Sequence, residues 1–328
     1  MVLVLGLGKS GKEVALLLKQ KGEDVTVVES QKNFSTILRK EELEKYNIKV
    51  IFHPYEDSIL QDAKLVVVSP GLPLSLPVIE KAKNLNIPVI GEIDVACRFI
   101  EKENIIGITG TNGKTTTTFL TYKLLKKAGK KVKIGGNIGV PLCRVARKLS
   151  LEENYKIVTE VSSFQLEAGT EFSPGIYCIL NIAPNHLDRH SSFSEYLQIK
   201  ASPLSRMKKE DIVFLNYDQP ELKELEKKTC AKVIFFSKRE KIKEGIFLRE
   251  GKIFANIEGK KFKISLTPQL LKKFHNPENV LCATGICLVE GVLPEVIEDF
   301  LSFYTPLPHR QEIVGEIRGV KFIDDSKA

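Results

Sequence analysis

The stretch that most limits what this chain can become runs from Gly107 to Thr118: Gly-Ile-Thr-Gly-Thr-Asn-Gly-Lys-Thr-Thr-Thr-Thr. A short apolar run, Ile105, Ile106 and Ile108, precedes it and predicts a buried strand. Phe119, Leu120, Leu124, Leu125 and Ala128 follow at helical spacing, and Gly129 predicts the stop. Strand, glycine loop, Lys-Thr and helix together make a phosphate-binding loop. Glycines let backbone N–H groups turn inward around phosphate oxygens, and the helix N-terminus adds partial positive charge. Lys114 supplies a full charge for β- and γ-phosphates, and Thr115 a hydroxyl for Mg²⁺. The spacing G-x-x-x-x-G-K-[ST] is not met, because Ile108 stands five residues before Gly113. The motif is the shorter Gly110-Thr111-Asn112-Gly113-Lys114-Thr115-Thr116.

A second glycine loop opens the chain. Val2–Leu5 predicts a strand, Gly6-Leu7-Gly8-Lys9-Ser10-Gly11 follows at once, and a helix is expected to about Gly22. The next strand, Val25–Val28, ends in Glu29 and Ser30. This G-x-G-x-x-G βαβ pattern reports a diphosphate at a helix N-terminus and a ribose near the acidic residue. NAD is the default ligand for such a pattern, and a UDP-sugar has the same diphosphate and the same kind of ribose. Leu65–Val68 then predicts a strand ending in Ser69-Pro70-Gly71, and strand-end loops of a parallel sheet are where ligands bind. Glu101–Asn104 reads as a linker, which gives a first domain over residues 1–100 and a central one over 104–305.

Within the central domain, Gly135-Gly136-Asn137-Ile138-Gly139 ends a strand, and Glu160 ends another over Ile157–Thr159. A carboxylate at a strand tip beside a phosphate loop is where nucleotide-bound Mg²⁺ finds a protein ligand. Ser162, Ser163 and Gln165 follow as hydrogen-bonding groups. The strand Ile176–Leu180 leads to a polar loop with Asn181, Asn185, His186, Asp188 and His190, whose histidines are candidate ligands. Ser192-Phe193-Ser194-Glu195 predicts a capping box, and Lys200 in the helix it opens reads by itself as a solvated lysine. Strands near 212–215 and 232–236 continue the alternation, and 246–264 predicts a small antiparallel insert. Asn276-Pro277 predicts a helix start. Residues 306–328 open something new: a hairpin turning at Arg318-Gly319, followed by Asp324-Asp325-Ser326-Lys327. A lone hairpin cannot bury its apolar face, so the chain is expected to be a fragment.

Composition excludes little and agrees with the motifs. A net charge of +8, from 49 basic and 41 acidic residues, has no sustained basic block with interleaved aromatics, so small phosphorylated ligands are expected and nucleic acid is not. No apolar stretch reaches membrane-spanning length, and the six cysteines form no C-x-x-C pair. Free thiols in a cytoplasmic, monomeric protein are expected.

The order of these motifs resembles the Mur ligases, the cytoplasmic peptidoglycan ligases. The resemblance rests on Gly6–Gly11, Ser69–Gly71, Gly110–Thr116, Gly136–Gly139, Glu160–Glu167, Asn181–Arg189, Lys200, His275–Asn279, His309-Arg310 and Asp325–Lys327, and covers essentially the whole chain. It implies an α/β fold: a Rossmann-like parallel-sheet domain, a P-loop-type ATPase domain, and the stub of a third. It also implies ATP-dependent joining of D-glutamate to UDP-N-acetylmuramoyl-L-alanine through an acyl phosphate. By resemblance, Lys114 and the loop hold the phosphates, and Thr115 and Glu160 hold one Mg²⁺. His186 helps hold a second with a carbamylated Lys200. Asn276, Asn279, Arg310 and Asp325 match ATP contacts. Gly8, Lys9, Ser10, Glu29, Ser30, Ser69, Pro70, Gly71, Asn137, Ser162, Gln165 and His186 match contacts to the UDP substrate, and Lys327 one near the incoming amino acid. Two departures stand out. Family members continue into a whole third domain, so this chain by itself is expected to turn over poorly. Pro203 is also expected to kink the helix that positions Lys200. The alternatives are another Mur-type or folylpolyglutamate-type ligase, a nucleotide-binding module without chemistry, and a nicotinamide dehydrogenase.

Overall fold

The computed structural model describes residues 1–54, 57–149, 155–266, 276–305, 307–309 and 312–325. Sheet one is wholly parallel in the order β3-β2-β1-β4-β5. Its strands are β1 (Val2–Leu5), β2 (Val25–Glu29), β3 (Lys49–Phe52), β4 (Leu65–Val68) and β5 (Val89–Gly91). The strands β1 and β4 are apolar at every position because helices cover both faces. The crossovers are α1 (Lys9–Gln20), α2 (Phe34–Glu44) and α3 (Pro77–Asn84); α4 (Glu92–Cys97) follows β5. Strand order reverses at β1, so the loops after β1 and β4 stand side by side.

Sheet two has nine strands in the order β14-β13-β12-β11-β10-β9-β6-β8-β7. Six parallel pairings join β6 (Ile105–Thr109), β7 (Val132–Gly136), β8 (Lys156–Glu160), β9 (Ile176–Ile179), β10 (Ile212–Asn216), β11 (Lys232–Ser237) and β12 (Gly245–Arg249). The strands β13 (Lys252–Ile257) and β14 (Lys260–Ser265) pair antiparallel. The small antiparallel insert expected over 246–264 is thus present. It joins the main sheet through Phe236↔Ile246 and Ser237↔Phe247. On one face, α5 (Lys114–Lys127) packs with α10 (Pro277–Val289) and α11 (Pro294–Ser302) over Ile108, Val158, Phe214 and Ile246. On the other face lie α6 (Leu142–Lys148), α7 (Ser163–Glu167) and α8 (Phe193–Ala201), with the short α9 (Pro220–Lys223) after β10. A last hairpin pairs β15 (Glu312–Ile317) with β16 (Val320–Asp324) and leaves Val314, Ile317, Val320, Phe322 and Ile323 exposed.

Local expectations fared unevenly. The expected linker 101–104 is ordered: Lys102–Asn104 forms a 3₁₀ turn. Lys102 Nζ lies 2.8 Å from buried Asp211, and Lys102 O accepts from Gly175 N–H. Pro203 does not kink α8. The helix ends at Ala201, and Pro203 sits in a separate 3₁₀ turn, Ser202–Arg206, where its missing N–H interrupts nothing. Half of the capping box forms. Ser192 Oγ accepts from Glu195 N–H, but the Glu195 carboxylate takes the N–H and hydroxyl of Ser191 instead.

Candidate active site

The phosphate loop leaves the carboxyl end of β6, whose neighbours are β8 and β9. Backbone at Gly110 and Gly113 takes positive φ, 147° and 80°, which favours glycine. A Cβ on Gly113 would also stand 2.1 Å from Asn279 Oδ1. That oxygen is buried and has no hydrogen-bond partner among the described residues. Asn276, three residues earlier, caps α10 by accepting from Glu278 N–H at 3.3 Å. Lys114 Nζ donates to the carbonyls of Gly110 and Thr111, both at 2.8 Å.

Glu160 is the centre of the polar cluster. It sits at the tip of β8, opposite Ile108 on one side and Gly136 on the other. Its Oε2 accepts the Thr115 hydroxyl at 2.8 Å and its Oε1 accepts Asn137 Nδ2 at 2.7 Å. Asn137 N–H also donates to Glu160 O. A hydroxyl and a carboxylate oxygen at this separation are hard oxygen donors of the kind Mg²⁺ takes.

Lys200 is the largest departure from the local reading. It is not a solvated lysine but 1 % exposed. Its Nζ donates to Thr109 Oγ1 at 3.2 Å and lies 4.7 Å from the centre of the Tyr196 ring, while Tyr177 Oη donates to its carbonyl. Burial, then the nearby Lys114 charge, hold its pKa well below the usual lysine range; Glu160 opposes them. His186 is in the same field. Its pKa is lowered first by desolvation, with Lys200, His190 and Lys114 adding to the fall and Asp188 opposing it. The imidazole rests 4.9 Å from Phe164, and the residue has a φ of 54°. The two histidines part company here: His190 is buried with Nε2 3.1 Å from Ser163 Oγ, a core position rather than a free ligand. Lys114, Thr115, Glu160, His186 and Lys200 are thus gathered at one edge of one sheet.

At the switch point of sheet one, Ser69 Oγ donates to Gly6 O at 3.2 Å. A Cβ on Gly11 would stand 1.9 Å from Gly6 O, so only glycine lets α1 start this close. Gly8 caps α1, and Lys9 and Ser10 are its first residues. Glu29 is already engaged: its carboxylate accepts from Leu7 N–H and Gln31 N–H and from Ser30 Oγ. It braces the loop whose ligand it was expected to meet. Ser162 and Gln165 likewise cap α7 and bond to one another. Pro70 and Gly71 follow β4 in the exposed loop, Thr116 lies in the first turn of α5, and Asp325 just beyond β16. Arg310 and Lys327 lie outside the described residues, as does His275.

Sequence reasoning passed over Glu92 and Asp94. Asp94 accepts from the N–H groups of Gly91, Thr170 and Glu171 and so pins α4 to sheet two. Glu92 Oε1 accepts from Cys143 N–H at 2.8 Å, and burial raises its pKa. The one local signal was an acid three residues after Gly91, which is capping-box spacing.

Residues 1–91 match the Mur ligase MurD-like N-terminal domain, and residues 108–287 the Mur ligase middle domain. The chain belongs to the Mur ligase family. A relative Mur ligase named UDP-N-acetylmuramoylalanine–D-glutamate ligase, from Caldanaerobacter subterraneus, is 38 % identical over 326 residues, which is 99 % of this chain and 71 % of that protein. Among solved structures, the UDP-N-acetylmuramate:L-alanyl-γ-D-glutamyl-meso-diaminopimelate ligase from Neisseria meningitides is 17 % identical. It superposes with a TM-score of 0.59 over 93 % of this chain and 98 % of that one. The MurF ligase from Thermotoga maritima, solved with ADP, is 18 % identical with a TM-score of 0.55, over 92 % and 68 %. Both place the fold of this Mur ligase. Among the described residues no helix is long and apolar enough to cross a membrane.

Proposed function

We propose that the protein is an ATP-dependent ligase joining D-glutamate to UDP-N-acetylmuramoyl-L-alanine in peptidoglycan precursor synthesis. The observation that carries the reading is the Thr115–Glu160–Asn137 cluster beside the Gly110–Lys114 loop, facing a region that holds two more cationic or metal-ligating groups, Lys200 and His186. Residues 1–100 bind the UDP substrate, 104–305 bind ATP, and 306–328 begin a third domain. The partners are the two substrates and ATP, and the protein works as a cytoplasmic monomer.

The chemistry is a phosphoryl transfer followed by an acyl transfer. The alanyl carboxylate of the UDP substrate attacks the γ-phosphorus, the bond to the β–γ bridging oxygen breaks, and ADP leaves. The D-glutamate amine then attacks the acyl phosphate carbon and expels inorganic phosphate, with one proton lost from nitrogen. Two anions must meet in the first step, so charge neutralisation matters more than proton transfer. Lys114 gives up its loop carbonyls for phosphate oxygens. Thr115 and Glu160 would hold one Mg²⁺, and His186 with Lys200 a second, and ions held there would supply charge screening between the phosphates and the attacking carboxylate. As an ammonium Lys200 is no metal ligand. Its surroundings favour the neutral amine, which adds CO₂ to give a carbamate and release a proton. Asn276, Asn279, Arg310 and Asp325 contact ATP in this reading.

Supplying full-length protein with ATP, Mg²⁺ and UDP-N-acetylmuramoyl-L-alanine, plus D-glutamate, L-alanine or meso-diaminopimelate separately, tests it. Phosphate release and new amide are expected with D-glutamate. Consumption of another amino acid, or none, overturns the assignment.

A further inference from the structure

The sheet does not stop where its backbone ladder stops. Pairing of β9 with β10 ends at Ile179↔Leu215. Beyond that point two side-chain amides take over. Asn216, fully buried, donates Nδ2 to Leu180 O at 3.0 Å. Gln219 reaches further: its Oε1 accepts Ile182 N–H and its Nε2 donates to Ile182 O, both at 2.8 Å. This is the bond pair a neighbouring strand would make, supplied by a side chain. The main chain of Gln219 is itself held at the start of α9, where its carbonyl accepts from Leu222 and Lys223 N–H and Pro220 follows at the first helical position.

The far side of the same segment grips the phosphate loop. Leu180 N–H donates to Thr109 O, and Thr111 N–H to Asn181 O. The Asn181 amide bonds Asn112 at both ends: Oδ1 accepts from its N–H at 2.8 Å, and Nδ2 donates to its carbonyl at 3.1 Å. Ala183 N–H donates to Thr111 Oγ1, which donates in turn to Ala183 O. Residues 180–183 are thus a slat with the phosphate loop on one side and Asn216 and Gln219 on the other.

We infer that Gln219 is a positioning residue for the nucleotide's phosphates. Among the described residues its side-chain hydrogen bonds go to Ile182 and not to the loop itself. By fixing Ile182 it fixes Asn181 and Ala183, and these hold Thr111 and Asn112 in the conformation that phosphate needs. Loop order is then settled before nucleotide arrives, which lowers the cost of binding. The inference rests on the reading of Gly110–Lys114 as ATP's phosphate site.

Gln219→Met keeps the length and loses both bonds. Gln219→Glu keeps the acceptor for Ile182 N–H, loses the donor, and sets a carboxylate against a carbonyl. In the full-length protein both are expected to raise KM for ATP, and Kd for ADP by calorimetry, roughly five- to tenfold, about the worth of one or two hydrogen bonds. KM for the UDP substrate is expected to hold, while the urea midpoint falls modestly in both variants because buried Ile182 loses its partners. Amide exchange at Ile182, Thr111 and Asn112 is expected to quicken together. Unchanged nucleotide affinity with faster exchange at Ile182 overturns the inference, as does an equal rise in the KM of ATP, the UDP substrate and D-glutamate. If wild type binds ADP but ligates no D-glutamate, the substrate assignment fails while the calorimetry still decides the role of Gln219.

Discussion

Gly113→Ala probes the phosphate loop where two costs can be separated. The first is conformational. Gly113 sits at φ 80°, and an L-residue there costs about 1–2 kcal/mol. The second is steric. The new Cβ would meet Asn279 at 2.1 Å from Oδ1, 2.9 Å from Cγ and 3.1 Å from Nδ2, so the whole amide must move and not merely its tip. Asn279 is buried in the first turn of α10, so its displacement disturbs the packing of α10 on α5, and overpacking of this kind costs about 1–3 kcal/mol. Gly113→Ala is therefore expected to destabilise sheet two by about 2–5 kcal/mol. Asn279→Ala removes an oxygen that has no partner among the described residues. Made in that background, Gly113→Ala should keep only the conformational part, which leaves a coupling of about 1–3 kcal/mol. Urea unfolding followed by tyrosine fluorescence reads the cycle. The chain has no tryptophan, and Tyr122, Tyr177, Tyr196 and Tyr217 all lie around sheet two. An equal cost in both backgrounds would refute the reasoning, because it would mean that Asn279 does not crowd Gly113.

Other outcomes follow from the same coordinates. Glu160→Gln should lower ligation by at least about 100-fold at saturating Mg²⁺, since the carboxylate between Thr115 and Asn137 is lost while its shape stays; steady-state phosphate release measures it. Asp94→Ala leaves the Gly91, Thr170 and Glu171 amides without their acceptor and should cost about 2–4 kcal/mol, against under about 1 kcal/mol for Arg98→Ala, whose ion pair with Glu171 is half exposed; paired urea titrations compare them. Glu92 has a folded pKa raised by burial, so the folded state binds the proton more tightly than the unfolded one. Its contribution to stability is whole below the unfolded value, about 4.3, and is lost as pH rises through the folded pKa. Glu92→Gln should therefore match wild type near pH 4 and gain on it toward neutrality, and a constant gap across that range would contradict the buried carboxyl.

The glycine loops were legible because their chemistry is local. Gly11 must lack a Cβ for the approach of Gly6 O, Gly113 must accept positive φ, and both demands fall on one residue inside a strand–turn–helix stretch. Glu160 was legible for the same reason, since it ends an apolar run. Lys200 was not. Nothing within α8 marks it as buried; its partners Thr109 and Tyr177 arrive from β6 and β9, and only the packing of α8 against sheet two removes it from water. Asp94 escaped notice because two of its three donors lie more than seventy residues away. His186 and His190 share one loop and one residue type, and only the tertiary setting makes one a core side chain and leaves the other exposed.

The proposed ligase needs the open edges of its two glycine loops held against each other, and besides the packing of α1 and α4 on α6 one side chain contributes to that. Arg189 leaves the His186 loop at the edge of sheet two. Its Nη2 donates to Leu72 O, in the loop after β4 of sheet one, at 2.8 Å. Its guanidinium also bonds Glu167 at 2.9–3.0 Å and lies 5.6 Å from the centre of the Phe164 ring. Glu167 and Phe164 fix the fork, so the bond to Leu72 transmits position rather than merely touching. Asp94 provides a second tie, from α4 to the turn after α7. At Gly91 the two parts also approach closely, since an added Cβ would stand 3.3 Å from Ala168. All three lie on the 160–190 side of sheet two, where Glu160 and His186 stand. The first sheet is therefore anchored beside the phosphate-loop edge and not at the far β14 end, as the proposed reaction requires if one sheet holds the carboxylate and the other the γ-phosphate.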